Sequence, residues 1–416
     1  MTPPLRGTVR VPGDKSISHR ALILAALAVG TSRIEGLNAG GDVAATIAAL
    51  RAMGARIEPC GEDAWAVRGV GVGGLLQPAE PLDLGNSGTS ARLLMGLVAS
   101  HPIAVEFTGD ASLSRRPMAR VADPLRRVGA RISADSLPLR VEGTFPLVPA
   151  RHRLIIPSAQ VKSALLLAAL NTPGVTSIES PPSRDHLERM LPLYGVEVKA
   201  DGDALAIGGE AELTPCNLSI PGDASAAAFL AVAALIVPGS AIRIEGVGVN
   251  PSRTGLFEIL LAMGTDLAFE NERVICNEPV ADLIVRHSAL TGVDVPAGIA
   301  PRMIDEYPIL CVAAAVAHGT TRMRGLAELR LKESDRLAAM APLGARTEGD
   351  DLIVEGGGGT PLAGGFTVDP GHDHRIAMAF TIAGLISREP IGVAPMTSIE
   401  TSFPGFLATL GALGAS

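Results

Sequence analysis

A segment of small apolar residues, introduced each time by a polar or charged run, occurs six times in this chain of 416 residues. The first copy runs from Pro12 to Gly30 and reads PGDKSISHRALILAALAVG. The other copies begin at residues 84, 156, 220, 305 and 372 and read LGNSGTSARLLMGLVAS, IPSAQVKSALLLAAL, IPGDASAAAFLAVAAL, DEYPILCVAAAVAHG and HDHRIAMAFTIAGL. The apolar part is nearly uncharged on all sides, which predicts six helices that are buried on most faces.

Charged and polar residues stand at the N-terminal ends of these predicted helices. Unpaired backbone N–H groups and the helix dipole favour anions at such ends. Helix capping is sufficient to explain single serines such as Ser16, Ser87 and Ser158. Six polar starts on six buried helices are better explained by a shared binding site.

A second predicted helix follows each copy and ends at a glycine. These endings read LRAMGARI, LRRVGARI, LPLYGVEV, LLAMGTDL, MAPLGART and LGALGA, with glycines at Gly54, Gly129, Gly195, Gly264, Gly344 and Gly414. A glycine at this place is typical of a helix that ends in a left-handed residue. β-prone segments flank the helices, so we predict an α/β protein made of six strand–helix–strand–helix–strand–strand units.

The tripeptide Pro-Gly-Asp occurs twice, at residues 12–14 and 221–223. A chain of this length exceeds one ordinary core, so two domains are expected. We interpret the two tripeptides as the crossings between them. Residues 14–221 then form one domain, and residues 1–13 with 222–416 form the other. The crossings are the predicted hinge, and an anionic ligand that binds both domains is expected to favour a closed state.

Basic residues are concentrated at the predicted helix starts, although the net charge of the chain is −8. They are Lys15, Arg20, Arg116, Arg184, Lys332, Arg336 and Arg375. Arginine binds carboxylate and phosphate groups through two parallel hydrogen bonds, and lysine adds a point charge. The sequence therefore predicts two small anionic ligands, one of them phosphorylated. The spacing of Lys332 and Arg336 predicts a shared helical face, and Pro117 is predicted to be the first residue of a helix.

Three residues beside these cations are candidate proton-transfer groups: Asp305, Glu333 and His374. Nearby cations favour the ionised form of Asp305, which would then be able to accept a proton. The structural alternatives are a helix cap at Asp305 and a first-turn charge at Glu333. His372 and His374 form a His-x-His pair with no third ligand nearby, so no metal site is predicted.

Composition argues against several other classes of protein. The negative net charge disfavours a nucleic-acid partner. Apolar runs such as residues 226–237 are too short to span a membrane, and no apolar signal segment is visible at the N-terminus. The cysteines are scattered and form no C-x-x-C pair, so we expect reduced thiols in a cytoplasmic protein.

Seven motifs, in order over about residues 11–406, together resemble the 5-enolpyruvylshikimate-3-phosphate synthase family. They read GDKSISHRA, GNSGTSARLLMG, SLSRRPM, SAQVKSALLLA, DEYPIL, LKESDRL and DHRIAMAF. The resemblance implies transfer of the enolpyruvyl group of phosphoenolpyruvate to the 5-hydroxyl of shikimate 3-phosphate, in aromatic amino-acid biosynthesis. It also implies no metal or organic cofactor, and two domains of three βαβαββ units around buried parallel helices, an inside-out α/β barrel. A monomer is expected.

The resemblance also assigns roles to residues, motif by motif. Shikimate 3-phosphate would contact Lys15, Ser16, Arg20, Ser158, Ala159, Gln160, Arg184, Asp305 and Lys332. Phosphoenolpyruvate would contact Lys15, Gly88, Arg116, Gln160, Arg336 and Arg375. Asp305 would be the base for the 5-hydroxyl and Glu333 would handle the proton at the vinyl carbon, with Lys15 and His374 in the catalytic set. Many members carry a lysine where this chain has Thr401, so that contact is lost or supplied otherwise.

Two other functions stay open at this point. The sister enolpyruvyl transferase that acts on UDP-N-acetylglucosamine usually carries a cysteine near the position of Arg116, and residues 111–120 contain none. A six-repeat DNA clamp would carry lysines and arginines along its helix faces, whereas the six predicted helices are nearly uncharged.

Overall fold

Helices and strands alternate along the whole of the computed structural model, which describes residues 2–415. The α-helices are α1 (Lys15–Leu27), α2 (Gly41–Ala52), α3 (Gly88–Ala99), α4 (Ala111–Ser114), α5 (Ala119–Arg127), α6 (Ala159–Leu170), α7 (His186–Met190), α8 (Ala224–Ile236), α9 (Gly255–Ala262), α10 (Ala300–Met303), α11 (Tyr307–Val316), α12 (Arg336–Ala339), α13 (His374–Gly384) and α14 (Phe406–Ala412). Short 3₁₀ helices span Leu191–Tyr194, Ala297–Ile299, Ala327–Leu331, Ala341–Leu343 and Thr397–Thr401.

The strands are short, and most have two to six residues. They are β1 (Arg6–Arg10), β2 (Thr31–Glu35), β3 (Arg56–Pro59), β4 (Ala64–Arg68), β5 (Leu82–Asp83), β6 (Ala104–Thr108), β7 (Arg131–Ile132), β8 (Leu139–Glu142), β9 (Arg151–Arg153), β10 (Val175–Glu179), β11 (Val198–Asp201), β12 (Ala204–Gly208), β13 (Leu218–Ser219), β14 (Ala241–Gly248), β15 (Asp266–Ile275), β16 (Glu278–Arg286), β17 (Asp294–Val295), β18 (His318–Met323), β19 (Arg346–Glu348), β20 (Asp351–Gly357), β21 (Phe366–Val368) and β22 (Ile391–Val393).

These strands form six sheets in the described residues, and the sheets repeat one arrangement. The orders are β13-β2-β4-β3, β5-β6-β8-β7, β9-β10-β12-β11, β1-β14-β16-β15, β17-β18-β20-β19 and β21-β22. In every sheet the first strand of this order pairs in parallel with the second. In the five four-stranded sheets the second strand pairs antiparallel with the third. The predicted mixed α/β architecture is confirmed.

The described chain divides into two compact units, each with its own apolar core. Unit 1 comprises residues 2–14, 221–274 and 278–415, and unit 2 comprises Lys15–Ile220 together with Ile275–Asn277. Met1 and Ser416, which the predicted domains include, lie outside the described residues. The movement of two domains about the Pro-Gly-Asp segments stays a prediction.

Within unit 1 the two Pro-Gly-Asp segments lie side by side. The backbone N–H of Asp14 donates to the carbonyl of Pro221 at 2.8 Å, and that of Asp223 donates to the carbonyl of Pro12 at 2.9 Å. Gly13 and Gly222 form an antiparallel bridge between them. These hydrogen-bonded segments hold two of the points at which the chain passes between the units; the short run Ile275–Asn277 is a further passage into unit 2 and back.

The six small-residue helices lie in the cores of the units, as the sequence predicted. Helices α1, α3 and α6 belong to unit 2, and α8, α11 and α13 belong to unit 1. All thirteen residues of α8 are buried, and the other five helices are buried over most of their length. The six glycines that end the second helices all have positive φ, which confirms their predicted role as helix ends.

Two expectations about helix starts are wrong. Lys332 lies outside any helix, because α12 begins only at Arg336, so the two residues share no helical face. The side chain of Asp335 accepts hydrogen bonds from the N–H groups of Leu337 and Ala338, and this cap sets the start of α12.

Pro117 is likewise not the first residue of a helix, since α5 begins at Ala119. The N–H of Met118 donates to the carbonyl of Asp135 at 2.8 Å, which holds this segment outside the helix.

Close packing in unit 2 depends on a glycine in α3. A Cβ placed on Gly96 would lie 2.1 Å from the backbone carbonyl oxygen of Ala164 in α6 and 2.6 Å from its Cα. Backbone atoms in the middle of a buried helix cannot move away cheaply, so α3 and α6 approach each other only because residue 96 has no side chain.

We therefore expect Gly96→Ala to lower the thermal stability of the protein strongly, although alanine favours a helix by about 1 kcal/mol over glycine. The matched control is Gly411→Ala in α14, where a Cβ would meet no atom within 4 Å. That variant should keep or raise the unfolding temperature, as measured by circular dichroism. Equal effects of the two substitutions would contradict the packing argument.

Candidate active site

In unit 2 the predicted cations Lys15 and Arg20 lie at the start of α1. Lys15 Nζ lies 2.8 Å from Asp42 Oδ2, and both side chains are largely buried. The guanidinium of Arg20 donates to the hydroxyl of Ser163 at 2.9 and 3.1 Å, and to the carbonyl of Ser16 at 2.8 Å. These contacts join the start of α1 to α2 and α6.

Gln160 joins α6 to α3 through an arginine that sequence reasoning missed. Arg92 Nη1 donates to Gln160 Oε1 at 2.7 Å, and Gln160 Nε2 donates to Thr89 Oγ1 at 2.9 Å. The available sequence signal was that Arg92 is the one charged residue in α3, one turn after Gly88.

Gly88, which the resemblance assigned to phosphoenolpyruvate, lies beside two guanidinium groups. A Cβ on Gly88 would lie 3.0 Å from Arg116 Nη1 and 3.1 Å from Arg92 Nη1. Arg116 is buried, and its Nη2 donates to Asn86 Oδ1 and, at 3.2 Å, to Ser112 Oγ. The missing side chain at position 88 therefore makes room for both arginines.

The serines at the predicted helix starts have different roles. Ser87 and Ser158 cap α3 and α6 by accepting N–H groups in the first turn, which confirms the capping interpretation. Ser16 is not a cap, because it is the second residue of α1; its hydroxyl accepts from Arg184 Nη1 at 3.4 Å. Ala159, the first residue of α6, offers its carbonyl to Arg20 Nη2 at 3.5 Å.

In unit 1 the side chain of Arg336, which is 1% exposed, faces three carboxylates. Its Nε lies 2.8 Å from Asp373 Oδ2, its Nη1 lies 3.1 Å from Asp305 Oδ1, and its Nη2 lies 2.6 Å from Glu333 Oε2. Burial opposes the charge on this arginine, yet the carboxylates of Asp373, Glu333 and Asp305 raise its pKa above the ordinary value. Arg336 is therefore a permanently charged centre of the cluster.

Neither structural alternative for the candidate proton-transfer groups holds. Asp305 does not cap α11, because the N-cap residue of that helix is Glu306. Instead, Asp305 Oδ1 forms ion pairs with Arg336 Nη1 at 3.1 Å and with Arg375 Nε at 3.6 Å. Glu333 is not in the first turn of a helix, since it lies between a 3₁₀ helix and α12. Both carboxylates belong to the arginine cluster.

A further buried arginine, Arg253, was not predicted. Its Nη1 lies 2.6 Å from Asp14 Oδ2, and its Nη2 lies 3.0 Å from Asp223 Oδ1 and 2.7 Å from Ser225 Oγ. The guanidinium thus binds the last residue of each Pro-Gly-Asp segment. Ser225 Oγ in turn donates to Glu306.

Glu306 connects the two arginine clusters of unit 1, because Arg375 Nη1 lies 3.9 Å from Glu306 Oε1. The result is one network that links the starts of α8, α11 and α13. Its charged members are Arg253, Arg336, Arg375, Asp14, Asp223, Asp305, Glu306, Glu333 and Asp373. Unit 1 therefore holds its cations in place with carboxylates before any ligand arrives.

The remaining predicted residues lie near this network or have local roles. His374 is the buried first residue of α13, and Lys332 is half-buried just before Glu333. Thr401 Oγ1 donates to the carbonyl of Ser398 at 2.7 Å, so its side chain serves a local turn. Among the described residues, no three His, Cys, Asp or Glu side chains are placed to hold a metal ion.

The four cysteines, Cys60, Cys216, Cys276 and Cys311, are free thiols. Burial raises the pKa of Cys311 to about 12, so it is not a thiolate at neutral pH. Over residues 2–415, the helices are all too short or too polar to cross a membrane.

Comparison with known proteins gives one consistent family. The family model described as EPSP synthase (3-phosphoshikimate 1-carboxyvinyltransferase) matches residues 1–410. A protein named 3-phosphoshikimate 1-carboxyvinyltransferase from Sphingopyxis alaskensis is 56% identical, over 99% of this chain and 96% of its own length. A protein of the same name from Zymomonas mobilis is 53% identical, over 99% and 95% respectively.

Solved structures agree with this result. An EPSP synthase from Acinetobacter baumannii is similar with a TM-score of 0.89 and 42% identity, covering 100% of this chain and 97% of that one. The enolpyruvyl transferase NikO from Streptomyces tendae has a TM-score of 0.80 at 20% identity, with 99% and 96% coverage, and shows similarity of fold alone.

The buried pair of Arg336 and Asp373 yields a stability prediction. Asp373→Asn keeps the helix cap of α13 but removes the charge, so it should cost about 2–4 kcal/mol in the free energy of unfolding. The matched control is Asp335→Asn, a cap of α12 whose ion pair with Arg330 is partly exposed; its cost should stay below about 1 kcal/mol. Urea unfolding measures both, and equal losses would refute the importance of burial.

Proposed function

Because this chain belongs to the EPSP synthase (3-phosphoshikimate 1-carboxyvinyltransferase) family, we propose that the charged groups at its six helix starts bind and activate the two substrates of that reaction. The reaction transfers the enolpyruvyl group of phosphoenolpyruvate to the 5-hydroxyl of shikimate 3-phosphate and releases phosphate, in aromatic amino-acid biosynthesis. Of the three functions that the sequence left open, the family match selects this one.

One observation carries the residue-level proposal: Asp305 is held between two guanidinium groups at the start of a buried helix. Its Oδ1 lies 3.1 Å from Arg336 and 3.6 Å from Arg375. Its side chain is 15% exposed, whereas that of Arg336 is 1% exposed. Asp305 is therefore the member of this triad that a substrate hydroxyl can reach most easily.

For shikimate 3-phosphate we propose contacts from both units. In unit 2 these are Lys15, Ser16, Arg20, Ser158, Ala159, Gln160 and Arg184, and in unit 1 they are Asp305 and Lys332. The support is local: Arg184, Ser16, Arg20 and Ala159 are joined by hydrogen bonds. A phosphate group can accept several charge-assisted hydrogen bonds from such a set.

For phosphoenolpyruvate we propose Lys15, Gly88, Arg116 and Gln160 in unit 2, with Arg336 and Arg375 in unit 1. Arg92 is added to this set, because it lies against both Gly88 and Gln160. Since the guanidinium of Arg336 is already paired with three carboxylates, an anion can bind it only by competing with one of them.

This competition suggests how Asp305 becomes a base. A carboxylate held by two arginines is stabilised in its charged form, which makes it a weak proton acceptor. When the anionic groups of phosphoenolpyruvate take over part of the bonding of Arg336 and Arg375, Asp305 loses stabilisation. It can then accept the proton of the 5-hydroxyl as that oxygen attacks the enolpyruvyl carbon. Glu333 would handle the proton at the vinyl carbon, with His374 and Lys15 assisting.

The finer features of the family form part of the same proposal. We propose two domains of three βαβαββ units, arranged as inside-out α/β barrels, that close about residues 12–14 and 221–223. We propose a monomeric cytoplasmic enzyme that uses neither metal nor organic cofactor and has no nucleic-acid or membrane partner. Four free thiols fit a reducing compartment.

The experiment that tests the function is phosphate release by the purified protein. Release should require both shikimate 3-phosphate and phosphoenolpyruvate, and it should persist in a chelator. Turnover with UDP-N-acetylglucosamine in place of shikimate 3-phosphate would contradict the assignment.

Asp305→Asn should lower kcat by about 10²–10⁴-fold, because the amide cannot take the proton. Substrate binding, measured by isothermal titration, should change much less. The matched control is Asp294→Asn, which removes an exposed partner of Arg324 and should leave kcat within about two-fold. A fully active Asp305→Asn enzyme would remove this residue from the mechanism.

Arg116→Ala should raise the KM for phosphoenolpyruvate about ten- to a hundredfold, since a buried charge-assisted contact is lost. The KM for shikimate 3-phosphate should change little. Arg140→Ala, which removes an exposed arginine of the same unit, is the control and should alter neither constant. Equal losses for both substrates would indicate that Arg116 only supports the structure through Asn86 and Ser112.

A further inference from the structure

A pocket lies in unit 1 at the C-terminal ends of α8, α11 and α13. The N-terminal ends of the same helices carry the charged network of the candidate active site. The pocket has a volume of about 280 Å³ and is lined by Ile236, Val316, Leu385 and the loops at residues 287–290 and 359–361. Ile236 is the last residue of α8, Val316 is the last residue of α11, and Leu385 is the C-cap of α13. Three helix C-termini thus converge on one pocket, which we call the C-terminal pocket.

The electrostatics of the C-terminal pocket favour a cation. Each helix C-terminus presents backbone carbonyl groups and a partial negative charge. None of the fourteen lining residues is Asp, Glu, Lys or Arg, so no carboxylate, ammonium or guanidinium group of the lining offsets this field; the lining also includes the imidazoles of His287 and His318. The walls contributed by Ile236, Val316 and Leu385 are apolar. The pocket therefore combines backbone carbonyl acceptors with an apolar surface.

In unit 2, side chains of the protein itself form hydrogen bonds with the carbonyl groups at equivalent helix ends. At the ends of α3 and α6, Asn171 Nδ2 donates to the carbonyl of Ser100 at 2.7 Å. Thr172 Oγ1 donates to the carbonyl of Ala168, and His101 Nδ1 lies 2.8 Å from the carbonyl oxygen of Leu97. All these side chains are buried. Side-chain donors of unit 2 therefore occupy the carbonyl-rich ends of α3 and α6.

Unit 1 has apolar residues at the matching positions. The run Asn-Thr-Pro-Gly at 171–174 corresponds to Ile-Val-Pro-Gly at 236–239, and α11 is followed by Ala317. Among the described residues, the end carbonyls of α8 accept from the backbone N–H groups of Val237 and Ser288, and those of α11 and Ala317 accept from the backbone N–H groups of Ala317, Gly358 and Gly359. Of the three ends, that of α13 alone has side-chain donors in the described residues, from Thr2 and Ser387.

We propose that the C-terminal pocket binds a small primary ammonium compound with a compact apolar body. The ammonium N–H groups donate to the carbonyls at the ends of α8 and α11, as Asn171 does in unit 2. The apolar body packs on Ile236, Val316 and Leu385. An apolar cavity of about 150 Å³ already holds benzene, so one aromatic ring with an aminomethyl group fits this volume.

This site is separate from the candidate active site. The thirteen residues of α8 rise by about 1.5 Å each, so its two ends are about 20 Å apart. An ammonium compound in the C-terminal pocket therefore touches none of the residues proposed for the two substrates, and binding should be independent of shikimate 3-phosphate.

The test uses benzylammonium as the probe and benzyl alcohol as its neutral analogue, with the full chain at pH 8, where an ordinary imidazole is uncharged. Saturation-transfer NMR and titration calorimetry measure both affinities. Benzylammonium should bind about five- to tenfold more tightly than benzyl alcohol, because only the cation is attracted by the partial negative charge of the helix C-termini. Its affinity should be unchanged when shikimate 3-phosphate is saturating.

Ala289→Phe and Thr360→Phe place a ring in the exposed lining of the pocket, so each should weaken benzylammonium binding at least about tenfold while phosphate release stays unchanged. Val274→Phe, at a position of unit 1 that is 71% exposed and outside the pocket, is the control and should bind normally. Circular dichroism identifies any variant that fails to fold. If one of the two pocket-filling variants fails, the binding measured with the other tests the proposal.

Three results would overturn the proposal. One is no binding of benzylammonium at concentrations up to about 20 mM. Another is equal affinity for the cation and the alcohol, which would leave no role for the helix ends. The third is binding that survives both filling variants or is displaced by shikimate 3-phosphate, which would place the compound elsewhere.

Discussion

The rest of this structure depends on one constraint: six central helices are buried on nearly all sides and therefore cannot carry charge without a partner. A buried charge is costly unless it is paired and hydrogen-bonded. Charged residues then stand in the first two turns of these helices or in the adjoining loops, where backbone groups and neighbouring side chains provide partners. The candidate active site at the helix starts and the C-terminal pocket at the ends of α8, α11 and α13 both follow from this constraint.

In unit 1 the same groups stabilise the fold and prepare the chemistry. Arg336 is buried among three carboxylates, and Arg253 binds both Pro-Gly-Asp segments. Such networks hold their members in one geometry because every alternative leaves a charge without a partner. An anionic substrate that competes for Arg336 acts on a prearranged system, so binding and activation of Asp305 are linked through one guanidinium group.

Repetition of the sequence does not repeat the sites. The ends of α3 and α6 in unit 2 bury Asn171, Thr172 and His101 as hydrogen-bonding partners, whereas the ends of α8 and α11 have Val237 and Ala317 beside a pocket. At the helix starts, unit 2 places Arg92 against Gln160 and Gly88, while unit 1 pairs its arginines with carboxylates. Each repeat keeps the buried helix that forms the core. The residues at the helix ends differ between repeats, because substitutions there disturb the packing of the core less.

The sequence by itself determined the six buried helices, the glycines that end the second helices, and the family, because these depend on local composition, local backbone conformation and short motifs. Only the tertiary structure decided which charges meet. Arg92 and Gln160 are 68 residues apart and Arg253 and Asp14 are 239 apart, so no local pattern joins them. The shared helical face expected for Lys332 and Arg336 was wrong because the cap at Asp335 starts α12 later. Periodicity reports on neighbours along the chain, whereas the partner of a buried charge is chosen by how the helices pack.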